Sequence, residues 1–334
     1  MDSYLQSLAD LHVHLGAAVS AHFLWELAHE QGIRLPEKNY WKFIELIRVK
    51  KTTSDKYLRK LNGSQKNLSP FELSQTIQSS PFAVEKCVHY AISRAYRKSN
   101  ITLLELRLNP LLRNKDGEYD VDKIILAAVV GLQKAMIEYP VKAGLILETD
   151  RQFDEKKHWI IVKKAVKYKN FGVVGVDVSG PNPKKGFKID NLIKPLSFAK
   201  KHGLKITFHT GEFTGPEEIW EVLEKIKPHR IGHGIKAWKD KKLLKKLAEE
   251  KISLEICPTS NIRTQVVKGW DEIKKALKKF LEFGVLFSIN SDGPEFLQTG
   301  VKKELQELYK RKILTANQIK KIISFAFKAS FVKV

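Results

Sequence analysis

Two histidines stand one residue apart in "LADLHVHLGAAVS" (Leu8–Ser20), where an apolar run gives way to small residues. In a strand alternate side chains share a face, so His12 and His14 are expected to point the same way. Such a pair can ligate a metal, share a proton or fill a polar corner, and alone it does not choose. Three later runs end in comparable residues: "FHTGE" brings His209 and Glu212, "RIGHG" brings His233, and "INSDGP" brings Asp292. Of the ten histidines, His12, His14, His209 and His233 fall at such ends. Three imidazoles and a carboxylate suit Zn²⁺, leaving a position for water whose pKa the metal lowers toward neutrality. Glu212 would then be free for proton transfer, and His233 could accept the water's proton or hold it in place. Each stretch also has an ordinary reading: Asp-Gly-Pro is turn chemistry, and "CPTSN" suits a loop followed by a helix cap. Their occurrence together, in order on successive runs, is what favours chemistry.

The elements that must position these groups are legible from pattern. Eight short apolar or β-branched runs recur: Leu8 to His14, Thr102 to Leu108, Val141 to Glu148, Gly172 to Val178, Leu204 to His209, Arg230 to His233, Ile252 to Ile256 and Val285 to Ile289. Lysine-rich amphipathic stretches follow most of them, as over Phe153–Tyr168, Leu192–His202, Glu217–Lys225 and Asp240–Lys251. Alternation of this kind predicts a parallel sheet, and eight repeats predict a (β/α)₈ TIM barrel. The 334 residues suit a single barrel domain with one oversized connection. That connection, residues 19–100 between the first and second strands, reads as mostly helical with breaks near Pro36, Asn62-Gly63 and Ser69-Pro70. It follows a strand's C-terminal end, so it is expected to sit over the barrel mouth.

Composition narrows the class. Hydrophobic residues make up 43% and charged residues 29% of the chain, a globular balance. The net charge of +22 favours anionic partners. Most lysines, however, interleave with leucine and alanine at helical spacing, as in "KAWKDKKLLKKLAEEK" (Lys236–Lys251), and read as solvated helix faces. No basic-aromatic stripe points to nucleic acid. The longest apolar run, Ile124 to Leu132, is too short for a bilayer. The two cysteines form no metal motif, and no signal peptide is visible, so a cytoplasmic protein is expected.

The ordered set "LHVHL", "ELRLNP", "VVGVDVSG", "FHTGE", "RIGHG", "LEICPTSN" and "INSDGP" resembles the adenosine deaminase family of the amidohydrolase superfamily. The likeness runs from about Asp10 to Pro294, and "FLWELAHEQGIRLP" (Phe23–Pro36) is similar to the family's early helical segment. It implies a zinc-dependent hydrolase that removes an exocyclic amine from a purine-like ring, with one zinc per chain. By that resemblance His12, His14, His209 and Asp292 are the ligands. Glu212 would donate a proton to a ring nitrogen, His233 would assist the attacking water, and Asp292 would help take its proton. Gly180 matches a glycine whose backbone amide meets a purine nitrogen, and no strand-four lysine suggests a second metal.

Four positions depart from the family pattern. Where His-x-His-Leu is usually followed by Asp, Glu or Asn and then Gly, this chain has Gly16 and Ala17. The family's Asp-Asp-Pro is Asp292-Gly293-Pro294, and the usual Glu after Gly180 is replaced by Asn182. By resemblance, an acid at position 16 reads a ribose 5′-hydroxyl and one at 293 reads the purine; Gly16 and Gly293 have no side chain to do either. The expected activity is therefore deamination of a 6-aminopurine nucleoside or derivative, including one with a larger or anionic 5′ group. Arg48, Lys50, Lys51 and Lys56 are candidates to meet such a group. The alternatives are an adenine or other aminoheterocycle deaminase, and a catalytically inactive zinc-binding relative.

Overall fold

The eight runs form one parallel sheet whose strands neighbour each other in sequence order. They are β1 (Leu8–His14), β2 (Ile101–Leu108), β3 (Lys142–Asp150), β4 (Val173–Ser179), β5 (Lys205–Thr210), β6 (Arg230–His233), β7 (Ser253–Ile256) and β8 (Phe287–Ile289). No strand end lies more than two residues from its expected position. The computed structural model describes residues 5–49, 69–114, 120–181 and 187–333. The expected break at Asn62-Gly63, and Lys50, Lys51, Lys56 and Asn182, lie outside the described residues.

The barrel closes just beyond the end of β8. Val13 and Asp292 form a parallel bridge, with the Asp292 amide donating to His12 O and the His14 amide to Asp292 O, both at 2.8 Å. Closure therefore fixes two expected site segments directly against each other. Between strands, amphipathic helices cover the outside. The helix Lys241–Glu249 buries Leu243, Leu244 and Leu247, and the Asp240 carboxylate caps it by accepting from the Lys242 and Leu243 amides. Its lysines consequently face outward, and no helix among the described residues is long and apolar enough to cross a membrane.

The connection between β1 and β2 is helical where it is described: Leu15–Ala18, Ala21–Glu30, Tyr40–Ile47, Pro70–Ile77 and Pro81–Ser99. Ser69 and Glu72 form a capping box, and Pro70 fills the first turn, where no amide is needed. This helix is fastened to the loop after β1, because Ser74 Oγ donates to Gly16 O at 2.6 Å.

The barrel interior is not filled by branched aliphatic layers alone. Buried Arg107 reaches Asp177 and Glu255, each at 2.9 Å. Arg230 holds Glu255 at 2.6 Å and also pairs with Glu105. The chain's last segment completes this group, with Ser330 Oγ donating to Glu105 at 2.8 Å and Arg230 donating to Ala329 O at 2.7 Å. Removing one partner from so buried a set leaves an uncompensated charge, at a cost of about 3–5 kcal/mol.

Candidate active site

His12 and His14 occupy alternate positions of β1, and both face the barrel axis. His209 joins them from β5. The Nε2 atom of His14 lies 3.3 Å from that of His12 and 3.2 Å from that of His209. All three rings are held from behind by carboxylates on other strands. His12 Nδ1 lies 2.7 Å from Glu255 on β7, His14 Nδ1 lies 2.9 Å from Glu148 on β3, and His209 Nδ1 lies 3.1 Å from Asp177 on β4. A proton on each Nδ1 satisfies its carboxylate and leaves the Nε2 lone pairs aimed at a common point.

Lone pairs facing one another at this spacing repel unless a cation or proton stands among them. A tetrahedral ion about 2.05 Å from each nitrogen sets them about 3.3 Å apart, so the donor set fits a zinc-sized ion. Asp292 completes one side, with Oδ1 3.5 Å from His14 Nε2 and 4.0 Å from His12 Nε2. Its other oxygen accepts from Ser260 Oγ at 2.6 Å. Buried Cys257 also stands near His12, His233 and Asp292. Burial and the surrounding carboxylates hold its thiol well above the ordinary range, so it stays a neutral neighbour.

Glu212 and His233 lie on the other side of Asp292. His233 Nε2 is 3.6 Å from Glu212 Oε2 and 3.9 Å from Asp292 Oδ2. Burial, reinforced by the Asp292 charge, pushes the Glu212 carboxyl up to about 8. Burial likewise pulls the His233 imidazole down to about 3, so it is neutral near pH 7. The side-chain amide of Asn261 meets its Nδ1 at 3.1 Å. His233 and Asp292 both sit at positive φ, 58° and 63°. Left-handed backbone at two non-glycine residues is strain of the kind that active sites retain.

The structure brings together His12, His14, His209, Glu212, His233 and Asp292. It places the three glycines at the same strand ends, in different settings. Gly180 follows β4 at φ 89°, and a side chain there would run into the Asp150 carboxylate at 2.5 Å, so only glycine fits. A Cβ on Gly293 would lie 2.8 Å from the Ala17 methyl. Relative to the family pattern, the small residue and the larger one have changed places across this contact. A Cβ on Gly16 would meet only Arg113 Nη2, at 3.6 Å. Arg48, considered for an anionic group, is exposed and pairs with Glu45 at 3.1 Å.

Sequence reasoning missed Glu148, Asp177, Glu255, Arg107 and Arg113. A signal existed for four of them. Each is a charged residue inside or at the end of an otherwise apolar run, as in "LLELRL", "VGVDVS" and "SLEI". A charge there is costly unless something buried answers it. Nothing local, however, says which partner does so.

A parallel eight-stranded barrel here gathers imidazoles and a carboxylate at its C-terminal strand ends, the face on which barrel enzymes carry their active sites. The family model described as adenosine deaminase matches residues 7–334. An adenosine deaminase of Clostridium kluyveri is 30% identical over 324 residues, covering 96% of this chain and 88% of that protein. Among solved structures, an Arabidopsis N6-mAMP deaminase superposes with a TM-score of 0.83 at 22% identity, covering 100% of this chain and 96% of its own. A zinc-bound amidohydrolase from Burkholderia ambifaria gives 0.82 at 18% identity, covering 99% and 87%. The chain belongs to the adenosine deaminase family, and it is a hydrolase acting on carbon–nitrogen bonds.

Proposed function

We propose that this chain is a zinc-dependent hydrolytic deaminase of a 6-aminopurine nucleoside or a derivative of one. The observation that carries the reading is the convergence of three carboxylate-backed Nε2 atoms beside Asp292, Glu212 and His233. His12, His14, His209 and Asp292 would hold the ion, one per chain. Bound there, the metal supplies Lewis-acid activation of water near neutral pH.

The remaining work falls to this chain's own groups. Glu212 keeps its proton near neutral pH and donates it to the ring nitrogen beside the reacting carbon, which makes that carbon electrophilic. His233 holds the attacking water, with Glu212 and Asp292 on either side of it. The Asp292 carboxylate accepts one proton of the water and passes it to the exocyclic amine, which leaves as ammonia as the C–N bond breaks, and the water's second proton restores Glu212. The Gly180 amide, just beyond β4 and next to the β5 end that carries Glu212, orients the ring. Helices of the connection spanning residues 19–100 cover the mouth, a reading supported by the Ser74–Gly16 hydrogen bond and the Phe71–Phe296 ring contact.

Metal analysis together with ammonia release over a panel of aminopurines tests this. We expect zinc at one per chain and turnover of at least one 6-aminopurine nucleoside or nucleotide. Glu212→Ala should retain zinc and lose about 10²–10⁴ in turnover. Zinc with no turnover of any aminopurine would instead mark a non-catalytic relative.

A further inference from the structure

Arg113 lies just after the short turn Pro110–Leu112 that follows β2, and it is 2% exposed. A guanidinium carries five donors that need acceptors when water is excluded. Among the described residues only one acceptor serves it, Asn109 O, reached by Nη1 at 3.0 Å. Its Nε is buried without any partner. Glu148 is the one described carboxylate whose charge reaches it, and that group already serves His14 and Ser179. Burial accordingly pulls Arg113 below the ordinary arginine range.

The space in front of this cation is the missing side chain of residue 16. A Cβ on Gly16 would stand 3.6 Å from Arg113 Nη2 and within 4 Å of nothing else outside the adjoining chain. The Gly16 backbone is fixed by Ser74 at 2.6 Å, and its φ is not positive. An acid at this position would pair with Arg113 and cancel it; glycine leaves the charge to a ligand. Gly16 and Arg113 follow β1 and β2, whereas Gly180 and Glu212 follow β4 and β5 and His233 ends β6. They therefore lie across the mouth from the groups assigned to the ring, where the far end of a substrate reaches.

We infer that Gly16 and Arg113 form a subsite for a phosphate on the sugar of the substrate, which makes the substrate class 5′-phosphorylated 6-aminopurine nucleosides. The inference rests on the deaminase reading above. A phosphate accepts two parallel hydrogen bonds from a guanidinium, and the exclusion of water strengthens them. The chain's net charge of +22 draws such anions to the mouth.

The test uses the zinc-loaded protein and two readouts. Turnover is compared for adenosine, adenosine 5′-monophosphate and its 3′ isomer, and dissociation constants are measured for inosine and inosine 5′-monophosphate. We expect the 5′-phosphate to improve both kcat/KM and affinity about 100-fold, the worth of a buried charge-assisted bond. Arg113→Gln should remove most of that preference. Gly16→Asp should do the same without touching Arg113, since its Cβ makes only an ordinary contact. Equal or better handling of adenosine, preference for the 3′ isomer, or a 5′ preference unchanged in both variants would overturn the subsite. Tight, Arg113-dependent binding of inosine 5′-monophosphate without turnover would keep the subsite and reject the deaminase reading.

Discussion

Glu148→Gln isolates the role of the carboxylates behind the histidines. Glu255 and Asp177 are unsuitable for this purpose, because each also pairs with Arg107 in the barrel interior. Removing either leaves a buried guanidinium short of a partner, and about 3–5 kcal/mol of stability would be lost alongside any effect on metal. Glu148 makes no direct arginine ion pair among the described residues, though its charge reaches Arg113; it meets His14 Nδ1 at 2.9 Å and Ser179 Oγ at 2.8 Å. Both meet the same oxygen, Oε1, so glutamine preserves this geometry with its carbonyl there, accepting from Nδ1–H and from the Ser179 hydroxyl. Only the charge disappears. An outer carboxylate of this kind typically contributes about 10–100-fold to metal affinity, or about 1.4–2.7 kcal/mol. Since glutamine keeps the hydrogen bond, we expect the lower end, about tenfold, with Glu148→Ala nearer 100-fold. Competition against a chelator of known zinc affinity measures this directly, with thermal unfolding of the metal-free protein as a control. An affinity within about twofold of the parent in both variants, while His14→Ala loses zinc, would refute the buttressing argument.

Two further outcomes concern stability. Gly293→Asp alone forces a Cβ to within 2.8 Å of the Ala17 methyl, an overpacking cost of about 1–3 kcal/mol; adding Ala17→Gly should raise the melting temperature of Gly293→Asp, and a single variant as stable as the parent would contradict the contact. Buried Glu304, which accepts from Thr299 Oγ at 2.5 Å and the Thr259 amide at 3.3 Å, is pushed up to about 7 by burial from an ordinary 4.5. The folded state then holds this proton over pH 4.5–7 while the unfolded chain has released it, so the contribution is full below that window and falls as pH rises through it. The loss is on the order of 3 kcal/mol, and Glu304→Gln should be more stable than the parent at pH 8 but similar at pH 4; an equal difference at both pH values in urea melts would refute it.

The sequence by itself determined the frame and singled out the candidate site residues that the structure brings together. Barrel strands are short, apolar and regularly alternated with amphipathic helices, so their period survives in the chain. His12, His14, His209 and His233 are four of only ten histidines, and with Glu212 and Asp292 they stand at the ends of those strands, so local spacing carried that information. What the groups lean on was decided only by the tertiary structure. His12 and Glu255 are 243 residues apart, and a glutamate in "SLEI" says that a partner exists without saying which. The departures at Gly16 and Gly293 were visible as letters, but their meaning was not. Barrel closure sets Ala17 against Gly293, and the turn after β2 sets Arg113 against Gly16. A missing side chain becomes informative only once the atoms that border its space are known.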